Sequence, residues 1–208
     1  TMNPAPAAYT RIATEEALAT PELLPAFRPV LATPPVDPGF QSLMGFYMVS
    51  PSERALHIMR CLVDLDAVRI GHMDDAGIDV QVLALTSPGV QVFERVEAVA
   101  LARDANDQLA AAIRRHPTRL AGMAAVAPQD PPAAAKEIAR CVQQLGLRSL
   151  VINSHTQGEY LSDPKYWPIF EAAERCNLPI GLHVQGFSGG HASTSSGWPT
   201  YYMEEHYA

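Results

Sequence analysis

Two side chains capable of metal or proton chemistry close short apolar stretches of this chain. Leu178-Pro179-Ile180-Gly181-Leu182-His183-Val184 reads as a buried strand with an imidazole near its carboxyl end, and a Gly/Ser-rich loop over residues 185–198 follows. Arg11-Ile12-Ala13-Thr14-Glu15-Glu16-Ala17 reads as a first strand ending in acid. A parallel sheet fixes side chains at the carboxyl ends of its strands, and the loops beyond leave room for substrate. One imidazole and carboxylate oxygens suit a divalent cation, and an oxygen-rich set favours Mn²⁺ over Zn²⁺. Glu15 and His183 are therefore the candidate metal ligands, and at least one more is required. The plainer alternatives are a core histidine bonded to a backbone carbonyl and a solvated pair of glutamates. Period two places Ala13, Glu15 and Ala17 on one face and Ile12, Thr14 and Glu16 on the other, with small neighbours around the Glu15 carboxylate.

The remaining histidines carry weaker signals. His57 and His72 fall in a helical stretch, His116 at a helix end where it suits the dipole, and His155 on a loop at the catalytic side. His191 and His206 have no usable ligand spacing. Gly186-Phe187-Ser188-Gly189-Gly190 fits the G-x-S-x-G pattern of a serine nucleophile. That motif needs a helix directly after the serine, and residues 191–199 make a poor one. No phosphate-binding loop, dinucleotide fingerprint or zinc-finger spacing is present.

The elements that must position these residues follow from caps and periodicity. Pro21 to Phe27 predicts one or two helical turns, and Arg28 to Gln41, with Pro29, Pro34, Pro35 and Pro38, a loop. Leu43 to Tyr47 is an apolar patch. Ser50-Pro51-Ser52-Glu53 predicts a helix capped by Ser50, running to Gly77 with a break near Asp64. Strands are expected at 79–85, 120–127 and 149–153, and helices at 93–115, 131–145 and 164–176. Asn106 falls on the apolar face of its helix and is expected to bond a loop backbone. Strands alternating with helices give a parallel sheet with right-handed crossovers. The fold class is α/β, of the (β/α)8 TIM-barrel type, with about the first five βα units in this chain. Glu15, Thr86, Gln129, Asn153 and His183 all lie at or near strand carboxyl ends, the catalytic face of such a barrel.

Composition narrows the class. The chain has 208 residues, 48% of them apolar, which is ample core material. A formal net charge of −7 argues against nucleic acid as a partner. No apolar run reaches the roughly 20 residues of a membrane span. Cys61, Cys141 and Cys176 lie in predicted helices without metal-ligand spacing and are expected to be reduced, in a cytoplasmic protein. Residues 1–10 read as a disordered tail, and 11–208 as one barrel domain.

The chain resembles the amidohydrolase-2 family, metal-dependent barrels that include the non-oxidative aromatic acid decarboxylases. The resemblance rests on residues 11–17, on Gly45-Phe46-Tyr47 with Ser50-Pro51-Ser52-Glu53-Arg54, and on residues 83–91. It continues through Val126-Ala127-Pro128-Gln129-Asp130 and Ile152-Asn153-Ser154-His155-Thr156-Gln157-Gly158, and ends with His183. It implies that Glu15 and His183 are metal ligands. It also implies that Leu43, Tyr47, Arg54, Thr86 and Asn153 line the substrate pocket, with Arg54 and Thr86 catalytic and Arg54 facing the substrate carboxylate. Most of the wider family has histidine two places after the first glutamate. Here that place is Ala17, a departure the decarboxylase subgroup shares. The implied activity is decarboxylation of a hydroxylated aromatic acid: CO₂ leaves and the ring carbon takes a proton.

Residues 184–191 depart from the decarboxylase pattern. The resemblance also implies three further strands, an aspartate ligand on the last of them and a second catalytic histidine, all beyond Ala208. A part-barrel would expose two parallel edges. The expectation is a fragment of a longer chain, or a remainder supplied by another chain, and a homo-oligomer. The alternative functions are hydrolysis of an ester, lactone or amide by metal-activated water, and an inactive fragment serving as an interaction module.

Overall fold

In the computed structural model, residues 9–34 and 40–183 are described, the side chain of Ser42 excepted. The expected loop over 185–198, the G-x-S-x-G stretch, His191 and His206 lie outside them, as does most of the expected N-terminal tail. Five parallel strands alternate with helices: β1 (Ile12–Leu18), β2 (Val80–Leu85), β3 (Leu120–Ala125), β4 (Ser149–Asn153) and β7 (Ile180–His183). They pair in the order β1-β2-β3-β4-β7, each neighbour joined by a crossover, as the alternating pattern predicts. A hairpin of two-residue strands, β5 (His155–Thr156) and β6 (Glu159–Tyr160), follows β4. Sequence patterning did not distinguish that hairpin from loop.

The helices follow the predicted order, with corrections at their starts. α1 (Leu23–Ala32) runs past Phe27 and contains Pro29, so the expected proline-rich loop begins later. Leu23 and Phe27 are fully buried, and this apolar face outweighs the backbone bond that Pro29 cannot make. A π turn (Gln41–Gly45) leads into the single-turn α2 (Phe46–Val49). α3 (Glu53–Val63) is capped by Ser52, whose hydroxyl accepts from Ala55 N at 3.2 Å. Ser50, the expected cap, lies two residues upstream and bonds Ser52 Oγ instead. The break near Asp64 and the stop at Gly77, which takes φ 67° after α4 (Ala67–Ala76), are both as expected. α5 (Arg95–Arg115), α6 (Pro131–Arg140) and α7 (Trp167–Arg175) complete the set. A π turn over Cys141–Leu145 extends α6, and Gly146 at φ 75° ends it.

The core lies between the sheet and this helical layer, with Leu83, Leu109, Leu120, Ile138, Leu150 and Ile169 at its centre. α5 seats closely on β3 because Gly122 has no side chain. A Cβ there would stand 2.6 Å from Leu109. Phe27 stacks on Phe93 at a ring distance of 5.4 Å and meets Phe40 edge-on at 5.2 Å, which pins α1 to the loop after β2. The cysteines are free, as expected: Cys141 is buried, Cys61 and Cys176 partly so. Burial and the adjacent Glu137 push the Cys141 thiol far above its usual range. Among the described residues no helix is long and apolar enough to cross a membrane.

Asn106 does bond backbone, at a strand end. Its amide donates to Ala125 O and its oxygen accepts from Ala125 N, both at 2.8 Å, so the last residue of β3 is satisfied as if by another strand. The same amide donates to Glu137, which Arg140 also grips. Burial raises the Glu137 carboxyl, but hydrogen bonds from Arg140 and Asn106 outweigh it and leave the group below the usual range.

Two outcomes follow for stability. Asn106→Ala strands buried polar atoms at Ala125 and Glu137, and urea denaturation should show a loss of about 2–4 kcal/mol. A carboxyl depressed in the folded state contributes fully above its unfolded value, near 4.3, and loses that contribution as pH falls through its folded value. Denaturation midpoints measured from about pH 6 down to about pH 3 should therefore fall more steeply for the native chain than for Glu137→Gln.

Candidate functional site

β1 and β7 are the two edges of the five-stranded sheet. With strands about 4.8 Å apart, a flat sheet would separate them by roughly 19 Å. Yet Glu15 Oε1 and His183 Nε2 are 3.1 Å apart. The sheet is curled into a half-barrel, and the two candidate ligands meet across its open mouth.

A local irregularity aims Glu15. Ala13 pairs with Gln81 and Glu16 with Leu83, so three steps along β1 match two along β2. The extra residue makes a bulge, and Glu15 sits there at φ 63°, a conformation that costs a residue with a side chain roughly 1–3 kcal/mol. The bulge interrupts the strict period of two in β1. Glu16 faces away from Glu15, as expected, and lines a cleft of about 390 Å³ with His57, Cys61, Arg69, His72 and Gln81, beside α3 and α4. Arg69, buried there, donates to Ala17 O at 2.9 Å and Gln81 Oε1 at 3.1 Å and braces β1 just past the bulge. Desolvation lowers the Arg69 guanidinium from its usual value, opposed by Glu16 and Asp64.

His183 ends β7, in register with Asn153 of β4. β7 is less covered than its apolar sequence predicts: Leu182 is 64% exposed, because among the described residues no strand or helix packs on that side. Side-chain exposure is 29% for His183 and 49% for Glu15, and the His183 Nδ1 atom is buried with no hydrogen-bond partner among the described residues.

This donor pair fits a divalent cation. Two ligands at roughly 2.0–2.2 Å from one ion, at right angles, stand about 3 Å apart. An imidazole and a carboxylate provide that spacing here. Among the described residues no third His, Cys, Asp or Glu completes a metal-binding group.

The other sequence-predicted residues distribute around and away from this pair. Thr86 follows β2, its backbone N bonded to Leu18 O at 2.8 Å, beside the end of β1. Asn153 is buried, its amide donating to Pro88 O and Gln91 Oε1, both at 3.0 Å. Gln129, also flagged as a strand-end residue, donates to Val90 O and Phe93 O. Leu43 packs against the core from the π turn, and the Tyr47 ring lies 5.3 Å from that of Phe46. Arg54 is exposed in the first turn of α3. His57 and His72 face one another in the outer cleft, ring centroids 5.8 Å apart. His116 bonds Asp66 at 2.6 Å at the end of α5. Sequence reasoning missed Arg69 and Gln91. The signal for each was a polar side chain inside an otherwise apolar stretch.

A curled sheet of five parallel strands alternating with helices, with an imidazole and a carboxylate at its carboxyl face, is the architecture of half a (β/α)8 barrel. The sequence profile described as Amidohydrolase matches residues 61–206, more than half the chain, and the protein belongs to that family. A gamma-resorcylate decarboxylase from Rhodococcus jostii is 38% identical over 132 residues, covering 59% of this chain and 40% of that protein. The structure of 5-carboxyvanillate decarboxylase from Novosphingobium aromaticivorans, with manganese and 4-hydroxy-3-methoxy-5-nitrobenzoic acid, superposes with a TM-score of 0.82 at 48% identity, covering 85% of this chain and 50% of that one. A dihydroxybenzoic acid decarboxylase from Polaromonas sp., with manganese and 2-nitroresorcinol, gives 0.68 at 31% identity, covering 84% and 49%. The chain spans about half the length of the relatives it matches.

Removing either candidate ligand tests the pair. His183→Ala and Glu15→Gly should each weaken Mn²⁺ binding more than about a hundredfold in a titration followed by the paramagnetic signal of free Mn²⁺. Glu15→Gly also relieves the left-handed backbone, so its melting temperature should hold or rise.

Proposed function

We propose that this chain carries the metal-binding half of a non-oxidative decarboxylase acting on a hydroxylated aromatic carboxylic acid. One observation carries the reading: Glu15 and His183 stand 3.1 Å apart although they belong to opposite edges of the sheet. The names of the relatives, and the aromatic ligands and manganese in their solved structures, point the same way.

The bound cation, with Mn²⁺ favoured over Zn²⁺ for an oxygen-rich set, supplies charge neutralisation for an acidic aromatic substrate. Glu15 and His183 hold it at the mouth. Thr86 stands at the end of β2 beside β1, where a hydroxyl can orient a phenol. Arg54 presents a guanidinium fork for the substrate carboxylate, and Tyr47 and Leu43 furnish apolar surface for the ring. Asn153 serves as pocket wall, since its amide hydrogens are held by Pro88 and Gln91. In the overall change the bond from ring carbon to carboxyl carbon breaks, its electron pair stays on the ring carbon, that carbon takes a proton, and CO₂ leaves. A homo-oligomer belongs to the same proposal.

Incubating a full-length barrel that contains this chain with Mn²⁺ and a panel of dihydroxybenzoates and carboxyvanillates should release CO₂ and yield the corresponding phenols. Hydrolysis of esters, lactones or amides without any CO₂ release contradicts the reading. Arg54→Ala should lower kcat/KM by about 10- to 100-fold, chiefly through KM, the loss of one charge-assisted contact.

A further inference from the structure

The loop after β2 holds a buried carboxamide that no role in binding or chemistry accounts for. Gln91 is 3% exposed. Its Oε1 accepts from Asn153 N at 2.8 Å and from Asn153 Nδ2 at 3.0 Å. Its Nε2 donates to His155 O at 2.8 Å and Thr156 Oγ1 at 2.7 Å, with Asn153 O further away at 3.3 Å. One side chain thus grips three positions at and just after the end of β4, Asn153, His155 and Thr156, from 62 to 65 residues away in sequence.

Those positions carry His183. Asn153 is its register partner across the β4–β7 ladder. Ser154, between the residues Gln91 grips, donates its backbone N–H to His183 O at 2.9 Å. The Gln91 loop is itself fixed, since Gln129 and Gln157 both donate to Phe93 O at 3.0 Å and Phe93 stacks on Phe27. The chain of contacts is continuous: anchored loop, Gln91, the end of β4, the backbone of His183. Among the described strands β7 pairs with β4 alone, over Ile180–His183, so the placement of its end follows the end of β4.

We propose that Gln91 is the positioning residue for His183: by clamping Asn153 and Thr156 it sets the height at which the imidazole meets Glu15, and so sets the affinity of the site for a divalent cation. The proposal rests on the reading of Glu15 and His183 as metal ligands. Outer groups that orient a ligand typically govern 10- to 100-fold in metal affinity.

The test is Mn²⁺ titration of Gln91→Met, which keeps the length of the side chain and removes its hydrogen bonds, with Asn106→Ala as comparison. Both variants remove a buried carboxamide that satisfies a strand end, but Asn106 serves β3. The expected result is Mn²⁺ affinity reduced at least tenfold in Gln91→Met and within about twofold of native in Asn106→Ala, at comparable losses in melting temperature. Thr156→Val deletes only the 2.7 Å contact and should give an intermediate loss, which also serves should Gln91→Met fail to fold. Native-like affinity in either Gln91→Met or Thr156→Val overturns the proposal, and so does an equal loss in Asn106→Ala. If the native protein and His183→Ala bind Mn²⁺ equally poorly, the ligand assignment falls first and takes this proposal with it, a result distinct from the others.

Discussion

The closure between Glu15 and His183 is the constraint on which the rest of the structure depends. Two side chains from opposite edges of a five-stranded sheet approach to 3.1 Å, and only a strongly curled sheet allows that. Curvature in turn demands close seating of helices outside the sheet, which the Gly122–Leu109 contact provides, and small residues along the strands, of which β3 (Leu-Ala-Gly-Met-Ala-Ala) has the most. The bulge in β1 belongs to the same requirement. It puts strain into one residue, Glu15, whose carboxylate faces the mouth.

Strand ends at the site are joined by carboxamides rather than by apolar packing. Asn106 completes β3, Gln91 and Asn153 join β2 to β4, and Gln129 and Gln157 hold the Phe93 carbonyl. A carboxamide offers a donor and an acceptor on one rigid plane, so it can substitute for a backbone partner where a strand has run out of neighbours. An apolar contact of equal volume would leave those backbone groups unsatisfied. The arrangement therefore combines rigidity at the mouth with polarity suited to an ionic site.

Much of this was legible in the sequence because it is periodic or punctuated. β4 and the stops at Gly77 and Gly146 follow from apolar runs and left-handed glycines, and the ordering of strands and helices follows from their alternation. Glu15 and His183 were readable as the polar ends of apolar stretches. What escaped depends on three-dimensional context. A left-handed glutamate has no composition signal, so the bulge was invisible and strict alternation was assumed. Ser50 and Ser52 are equally good caps on paper, and only the chain direction into α3 chooses Ser52. Pro29 reads as a breaker until the burial of Phe27 is known. Asn153 and Gln129 were legible as strand-end polar groups, but their hydrogen bonds to the loop after β2 required the fold.

The central claim is that Glu15 and His183 ligate one divalent cation. It is tested most directly by anomalous scattering at the manganese absorption edge, from crystals of the protein grown with Mn²⁺. The account predicts a peak lying about 2.0–2.4 Å from both Glu15 Oε1 and His183 Nε2. A map with no peak between them, or with manganese bound in the cleft of His57, Cys61 and His72 instead, would contradict it.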